Sequence, residues 1–390
     1  MVTNELFPVR TIPWMLATSL VALACYWPAH ADDPFATRVV EYSPAPGQFV
    51  NVAEFNDPSN ALGPPSGAGT FEADNSSVVS LGGFGGSITL AFDHTVEDHR
   101  ANPLGLDAIV FGNAYFVANH VNRHWAECGH IEISLDVNRN GLADDPWYLV
   151  PGSHILDATQ FTSQTWDADT SDAAYPPSNP AWIPPEFTGS KETWSSWAYR
   201  LPSAPFDAPV LTNPLGLNSE SEGVFGYADF APTLMLGDWD ADNTIEDPTA
   251  AADQFYTVPD NPFTVGIDPG TGGGDAFDIT WAVDPETWQP ADLPGFDFIR
   301  ITNAVNHIAG ALGESSTEID AVADARPGLL GDADADRDVD SFDYDVFEHC
   351  VRLSRSGSLL TECRVMDFDD DGAVALIDFA GFQHAFNEQP

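Results

Sequence analysis

Basic residues are scarce in this chain: 13 Lys and Arg stand against 60 Asp and Glu, a formal net charge of -47. A surface this negative repels phosphate backbones and anionic lipids, which excludes nucleic acid as a partner. Long apolar runs are also missing. The best candidate, Trp14 to Trp27, is shorter than the roughly 20 residues a bilayer span needs, so no transmembrane helix is expected in the mature chain. No GxSxG, no phosphate-cradling loop and no HExxH spacing occurs, which leaves serine hydrolase, nucleotide and zinc chemistry without a local signature. Helical periodicity of useful length is absent before the C-terminal tail.

The short apolar run has a different meaning. Arg10 precedes it, and Ala29-His30-Ala31 follows it before Asp32. That order predicts a signal peptide over residues 1–31 and a secreted or cell-surface protein. A lipoprotein anchored through Cys25 is the alternative, and Ala22-Leu23-Ala24 fits a lipobox poorly. Of the four cysteines, Cys25 leaves with the signal. Cys350 and Cys363 flank a Ser/Gly turn in an exported chain and are expected to form a disulfide. Cys128 is left over, read as a thiol packed at the start of a strand, with a reactive thiol as the alternative.

Turn formers, by contrast, are abundant: 31 Gly and 31 Pro punctuate a chain that is 43% hydrophobic. Alternating segments stand between them, at Val78–Leu81, Ser87–Phe92, Leu106–Phe111, Ile131–Leu135, Ala276–Val283 and Phe296–Thr302. Short strands with this punctuation predict a mainly β fold, a jelly-roll-like sandwich over residues 32–325, with Val78–Leu81 and Ser87–Phe92 read as hairpin-like. A linker at residues 326–331 leads to a small α-helical tail, residues 332–390. There Phe342, Val346 and Phe347, then Phe379, Phe382 and Phe386, repeat at helical spacing.

Many of the acids fall at alternate positions, which solubility alone does not require. Calcium takes six to eight hard oxygens, and a loop offering them at positions 1, 3, 5 and 9 or 12 wraps one ion. In the tail, Asp332, Asp334, Asp336, Asp340 and Asp343 occupy positions 1, 3, 5, 9 and 12 of one such loop. Asp367, Asp369, Asp371 and Asp378 occupy 1, 3, 5 and 12 of a second, and Val339 and Val374 hold position 8. Arg337 stands at position 6 of the first loop, where a turn favours Gly. Two internal loops repeat the pattern: Asp136, Asn138, Asn140, Asp144 and Asp145 align with Asp238, Asp240, Asp242, Glu246 and Asp247, each acidic pair preceding a proline. Both are read as calcium loops, the alternative being Asx-rich turns without metal.

Two resemblances follow from these residues. Ala61-Leu62-Gly63-Pro64-Pro65, Ser80 to Leu90 (SLGGFGGSITL), Ile109-Val110-Phe111-Gly112-Asn113, Ile131-Glu132-Ile133-Ser134 and Gly313 to Val322 together resemble a family of planctomycete-type exported surface proteins. The likeness implies a jelly-roll-like sandwich and an envelope location, and it brings no reaction with it. The two tail loops with their following helical segments resemble a type I dockerin, closing on Asp instead of a bidentate Glu. That implies a paired EF-hand fold and a protein receptor on an envelope or extracellular assembly.

An aromatic, Pro-rich insertion at about 160–210 contains Trp166, Trp182, Trp194 and Trp197. Exposed indoles offer flat apolar faces to a sugar ring, so these four are a candidate polysaccharide platform, the alternative being rings that bury a loop on the sheet. Glu127, Glu132, Asp275, Asp278 and Asp297 could pair for glycoside hydrolysis, though carboxylates this abundant will pair by chance. His120, His124 and His130 lie near one another without zinc-site spacing. The expectation is a calcium-binding surface module for adhesion or carbohydrate binding, with a polysaccharide-degrading hydrolase as the alternative and no catalytic residue named.

Overall fold

A computed structural model describes residues 33–117, 121, 123–152, 161–166, 192–197, 206–207, 225–264, 266–304, 315–333, 339–353, 361–369 and 371–388. The fold is mainly β. In chain order the strands are β1 (Arg38–Ser43), β2 (Val79–Ser80), β3 (Ser87–Glu97), β4 (Ala108–Gly112), β5 (Tyr115–Phe116), β6 (Arg123–Trp125), β7 (Gly129–Ser134) and β8 (Tyr148–Val150). They continue as β9 (Phe161–Trp166), β10 (Glu192–Trp197), β11 (Phe206–Asp207), β12 (Tyr227–Ala228), β13 (Asp275–Phe277), β14 (Gly295–Asn303) and β15 (Glu318–Asp324). A four-residue helix, α1 (Ala252–Phe255), interrupts them, and α2 (Ser341–Leu353) and α3 (Leu376–Glu388) form the tail.

One sheet runs β1-β3-β14-β7-β12, with β8 also on β7, and a second runs β13-β4-β15-β2. Alternation of side chains explains how the first sheet meets the core. Leu90 pairs with Ile299 and Ile299 with Ile133, while Ile88 pairs with Ile301 and Ile301 with Ile131. All six are fully buried. The intervening row, Thr89, Arg300 and Glu132, faces the other way, as a period of two demands. There Arg300 pairs with Glu132 at 2.8 Å and lies over the Trp147 ring at 4.2 Å. The second sheet contributes Val79, Ile109, Val110, Phe111, Ile319 and Val322 to the same apolar cluster. The two sheets thus sandwich a single core.

Two expectations need correction. Val78–Leu81 and Ser87–Phe92 do not form a hairpin: β2 pairs with β15, and β3 pairs with β1 and β14. The Gly82–Gly86 segment is a crossing from one sheet to the other. It is threaded so tightly that a Cβ on Gly82 would lie 1.8 Å from the Ala45 carbonyl oxygen and one on Gly86 1.8 Å from that of Leu81. The expected strand Ala276–Val283 stops at Phe277, because the Asp278 carboxylate accepts from Thr280 N and caps a 3-10 turn over Ile279–Trp281.

The tail follows its periodicity. Phe347, Phe382, Val339, Val374 and Met366 build a small separate core, closed by the disulfide Cys350–Cys363. Between the two parts, Arg326 N donates to Thr257 O, Gly328 N to Ala101 O and Gly331 N to Val365 O. The connection is strapped down along its length.

Candidate functional site

The same turn recurs in three loops. In the first, Asn140 N and Gly141 N donate to the two carboxylate oxygens of Asp136, at 3.0 and 2.6 Å. In the second, Asp242 N and Asn243 N donate to those of Asp238, at 3.2 and 3.0 Å. In the third, Asp371 N and Gly372 N donate to those of Asp367, at 3.2 and 2.8 Å. Position 6 is left-handed each time, with φ of 75° at Gly141, 64° at Asn243 and 82° at Gly372. This conformation suits Gly and Asn, whose side chains avoid the Cβ clash or offset it by local bonding.

The loops differ in what their side chains then do. Around Asp238, one oxygen each from Asp238, Asp240, Asp242 and Glu246 lies within 4.8 Å of the others. Calcium–oxygen bonds of about 2.3–2.6 Å allow ligand atoms up to about 5 Å apart, so these four fit one ion. Only Asp238 is buried and the other three are exposed. Burial is the largest influence on Asp238, and it raises its pKa, with Glu246 and Asp242 adding repulsion. The loop is anchored from behind: Asn243 Oδ1 accepts from Thr70 N at 2.8 Å, and Trp239 meets Phe255 edge-on with centroids 4.7 Å apart. Asp247 stands outside the group, where it accepts from Thr249 N and Oγ1.

Around Asp136 the asparagines satisfy the acids directly. Asn140 Nδ2 donates to both oxygens of Asp144, at 3.2 and 3.1 Å, and Asn138 Nδ2 donates to Asp144 and Asp145. Here amide N–H groups meet the carboxylates that face one another in the sister loop.

In the tail, oxygens of Asp367, Asp369 and Asp378 lie within 4.8 Å of one another. Asp378, at the start of α3, accepts from Phe368 N at 2.8 Å and Ala375 N at 2.7 Å. Asp371 accepts from Ala373 N instead of joining them. The first tail loop reproduces part of this: Asp343, fully buried at the start of α2, accepts from Ala333 N at 2.6 Å and Asp340 N at 2.7 Å. Asp332 is also buried, and Asp334, Asp336 and Arg337 lie outside the described residues.

The remaining candidates are dispersed. The backbones of Trp166 and Trp194 sit on the β9–β10 ribbon opposite Glu192 and Gln164, and Trp197 opposite Phe161. Trp182 lies outside the described residues. The five carboxylates considered for hydrolysis are each engaged separately. Glu127 accepts from Gln48 Nε2 at 2.8 Å, Glu132 pairs with Arg300 and His130, and Asp275 accepts from Phe230 N and Ala231 N. Asp278 caps Thr280, and Asp297 accepts from Thr95 Oγ1 and Asp136 N. His124 is buried against Phe230, His130 is on Glu132, and His120 lies outside the described residues. Cys128 is free and buried, and burial pushes its thiol well above the usual range, so it is the packed thiol.

Spacing in the sequence missed a further acidic group, Asp98, Asp107 and Asp278, whose oxygens also lie within 4.8 Å of one another. It joins the two ends of the β3–β4 connection to the end of β13, far along the chain, so no local motif could mark it. No family model matches this chain and no curated protein matches it.

Proposed function

We propose that this is an exported calcium-binding β-sandwich protein, an adhesion or carbohydrate-binding module of the cell surface, whose EF-hand-like tail docks it on an envelope or extracellular receptor. The observation that carries the reading is the shared turn at Asp238 and Asp367, each backed by a group of carboxylate oxygens close enough to bind one ion. In the first loop Asp238, Asp240, Asp242 and Glu246 would hold calcium, and in the tail Asp367, Asp369 and Asp378. The bound ion would neutralise carboxylates that otherwise repel one another in one turn.

Other observations support the parts of this reading. Two packed sheets agree with a jelly-roll-like sandwich. A helix after each tail loop agrees with a dockerin-like EF-hand pair, and the disulfide with an oxidising compartment. The tail leaves apolar side chains in water at matching loop positions 10 and 11: Leu376 is 86% exposed, Phe342 68% and Ile377 61%. Exposed apolar sets of this kind mark interaction surfaces.

The test is calcium binding by the full chain, read by equilibrium dialysis and by thermal melting in calcium and in chelator. Bound calcium with a higher melting temperature supports the reading. A chain that binds none and melts identically in both refutes it. Receptor docking is tested by Phe342→Asp with Leu376→Asp, which should abolish retention on envelope extracts while leaving calcium binding intact.

A further inference from the structure

The acidic group at Asp98, Asp107 and Asp278 belongs to no loop motif and stands apart from the calcium loops just described. Asp98 lies just beyond β3, Asp107 just before β4 and Asp278 just beyond β13. Asp107 and Asp278 are fully buried, and the Asp98 side chain is 15% exposed. One oxygen from each lies within 4.8 Å of the others, the span that two calcium–oxygen bonds of about 2.4 Å cover.

Charge is the difficulty this arrangement must resolve. Both oxygens of Asp107 already accept, Oδ1 from Asn102 Nδ2 at 2.8 Å and Oδ2 from Ile279 N at 2.9 Å. Those N–H donors favour the carboxylate, but burial, with Asp278 and Asp98 adding repulsion, outweighs them and holds Asp107 well above the usual carboxylate range. Asp278 likewise accepts from Thr280 N at 2.7 Å. Arg364 pairs with Asp98 and offsets one of three negative charges. Three acids are still gathered in one largely buried place, where charge is costly.

Asn102 supplies an independent observation. It is 1% exposed, its amide nitrogen is held on Asp107, and its Oδ1 is buried with no hydrogen-bond partner. A buried amide oxygen left without a donor, on a side chain bonded to one of the three acids, is available as a cation ligand.

We propose that Asp98, Asp107, Asp278 and Asn102 form a divalent-cation site. Four hard oxygens and no nitrogen or sulfur suit calcium over zinc or copper. The site lies on the seam between sandwich and tail, since Arg364 comes from the tail segment and Arg100 Nη1 donates to the carbonyl oxygen of Asp367 at 3.0 Å. An ion here fixes the connection between β3 and β4 on which the second tail loop rests, and so couples the seating of that loop to calcium.

The test uses the full chain with Asp278→Asn and, separately, Asp98→Asn. Calcium stoichiometry is measured by equilibrium dialysis, and melting is followed in calcium and in chelator. Each variant should bind one ion fewer than the parent, melt lower in calcium, and melt at or above the parent in chelator, because a repulsion has been removed. Asp240→Asn should remove a different ion, and the double variant both. Unchanged stoichiometry in the Asp98 and Asp278 variants overturns the site, as does an equal loss of melting temperature in the two solutions. Failure of the loop reading is distinguishable, since it leaves Asp240→Asn without effect. If Asp278→Asn does not fold, the partly exposed Asp98 carries the measurement. For the unmutated chain, crystals grown with calcium should show an anomalous peak between these four oxygens, and its absence overturns the proposal.

Discussion

Glu127, Asp229 and Glu318 come from three separate segments, yet the fold buries all of them together. Asp229 accepts from Asn113 N at 2.8 Å and Glu318 N at 3.0 Å, and Glu318 accepts from Asn113 Nδ2 at 2.6 Å. Burial pushes Asp229 up to about 7 and Glu318 up to about 8, and it raises Glu127 well above the carboxylate range, with Glu318 and Asp229 adding repulsion. A carboxyl whose folded pKa is raised takes up a proton on folding. Its contribution is fully present below the unfolded value near 4 and is lost as pH rises through 7 to 8. Glu318→Gln removes that ionisation, and the variant should be more stable than the parent at pH 8 by about 1 kcal/mol or more, roughly the worth of one pKa unit. At pH 5 the two should match in chemical denaturation.

His94 adds to the same limb. Its two ring nitrogens sit 2.9 Å from Asp324 and 2.9 Å from Asp93, and the bond to Asp324 is the main cause that holds it up to about 9. The stability it supplies is complete below the unfolded value near 6.5 and disappears as pH climbs toward 9. Glu132 acts at the other end. Burial opposes its charge, but His130 and Arg300 outweigh that and hold it down at about 2, so its contribution is lost as pH falls from about 4.5 toward 2. In chelator, melting temperature should peak on the mildly acidic side of neutrality, and His94→Gln should flatten the fall between pH 6.5 and 9. A profile unchanged by His94→Gln counts against this assignment.

At the scale of elements, the two internal loops offer a controlled comparison. Their backbone turns coincide, but the acids at Asp238 face one another while those at Asp136 are met by asparagine amides. Asp240→Asn, which leaves the donors to Asp238 untouched, should cost nothing in chelator. In calcium about a hundred-fold above the site's Kd it should forfeit about 2.7 kcal/mol, some 5–10 °C at about 2–4 °C per kcal/mol. Asn140→Ala should instead destabilise in both solutions, because Asp144 keeps the bond from Asn138 and loses both from Asn140 whether or not an ion is present.

The turns of these loops were legible in the sequence because the spacing of the acids and a left-handed position are local properties. The β3, β7 and β14 rows were legible for the same reason, since alternation over six residues fixes a face. What escaped depended on the rest of the molecule. Nothing in Gly82 to Gly86 says that the chain crosses between sheets instead of turning back within one. Asp278 ends the expected strand at Phe277 through a bond to Thr280 that an alternating pattern does not reveal. Gly86→Ala, with its Cβ driven against the Leu81 carbonyl, should destabilise by about 2 kcal/mol or more, whereas Gly141→Ala, where the space is open, should cost only the left-handed strain of about 1 kcal/mol.

The whole molecule carries a net charge of -47, and that self-repulsion opposes the compact state. Its size depends on screening, since the Debye length falls from about 30 Å at 0.01 M salt to about 8 Å at 0.15 M. Added sodium chloride in chelator should therefore raise the melting temperature steeply over that range. Calcium at the proposed sites would act on the same charge differently, because each bound ion would cancel two negative charges at one place, where the carboxylates are closest. With calcium saturating, the rise produced by sodium chloride should shrink, and magnesium at equal concentration should reproduce it only in part, because Mg2+ holds its water and asks for a tighter octahedral shell. A salt response that is identical in chelator and in calcium would mean that the acids act only as a diffuse surface charge, and that no cation is held at the loops or at the seam.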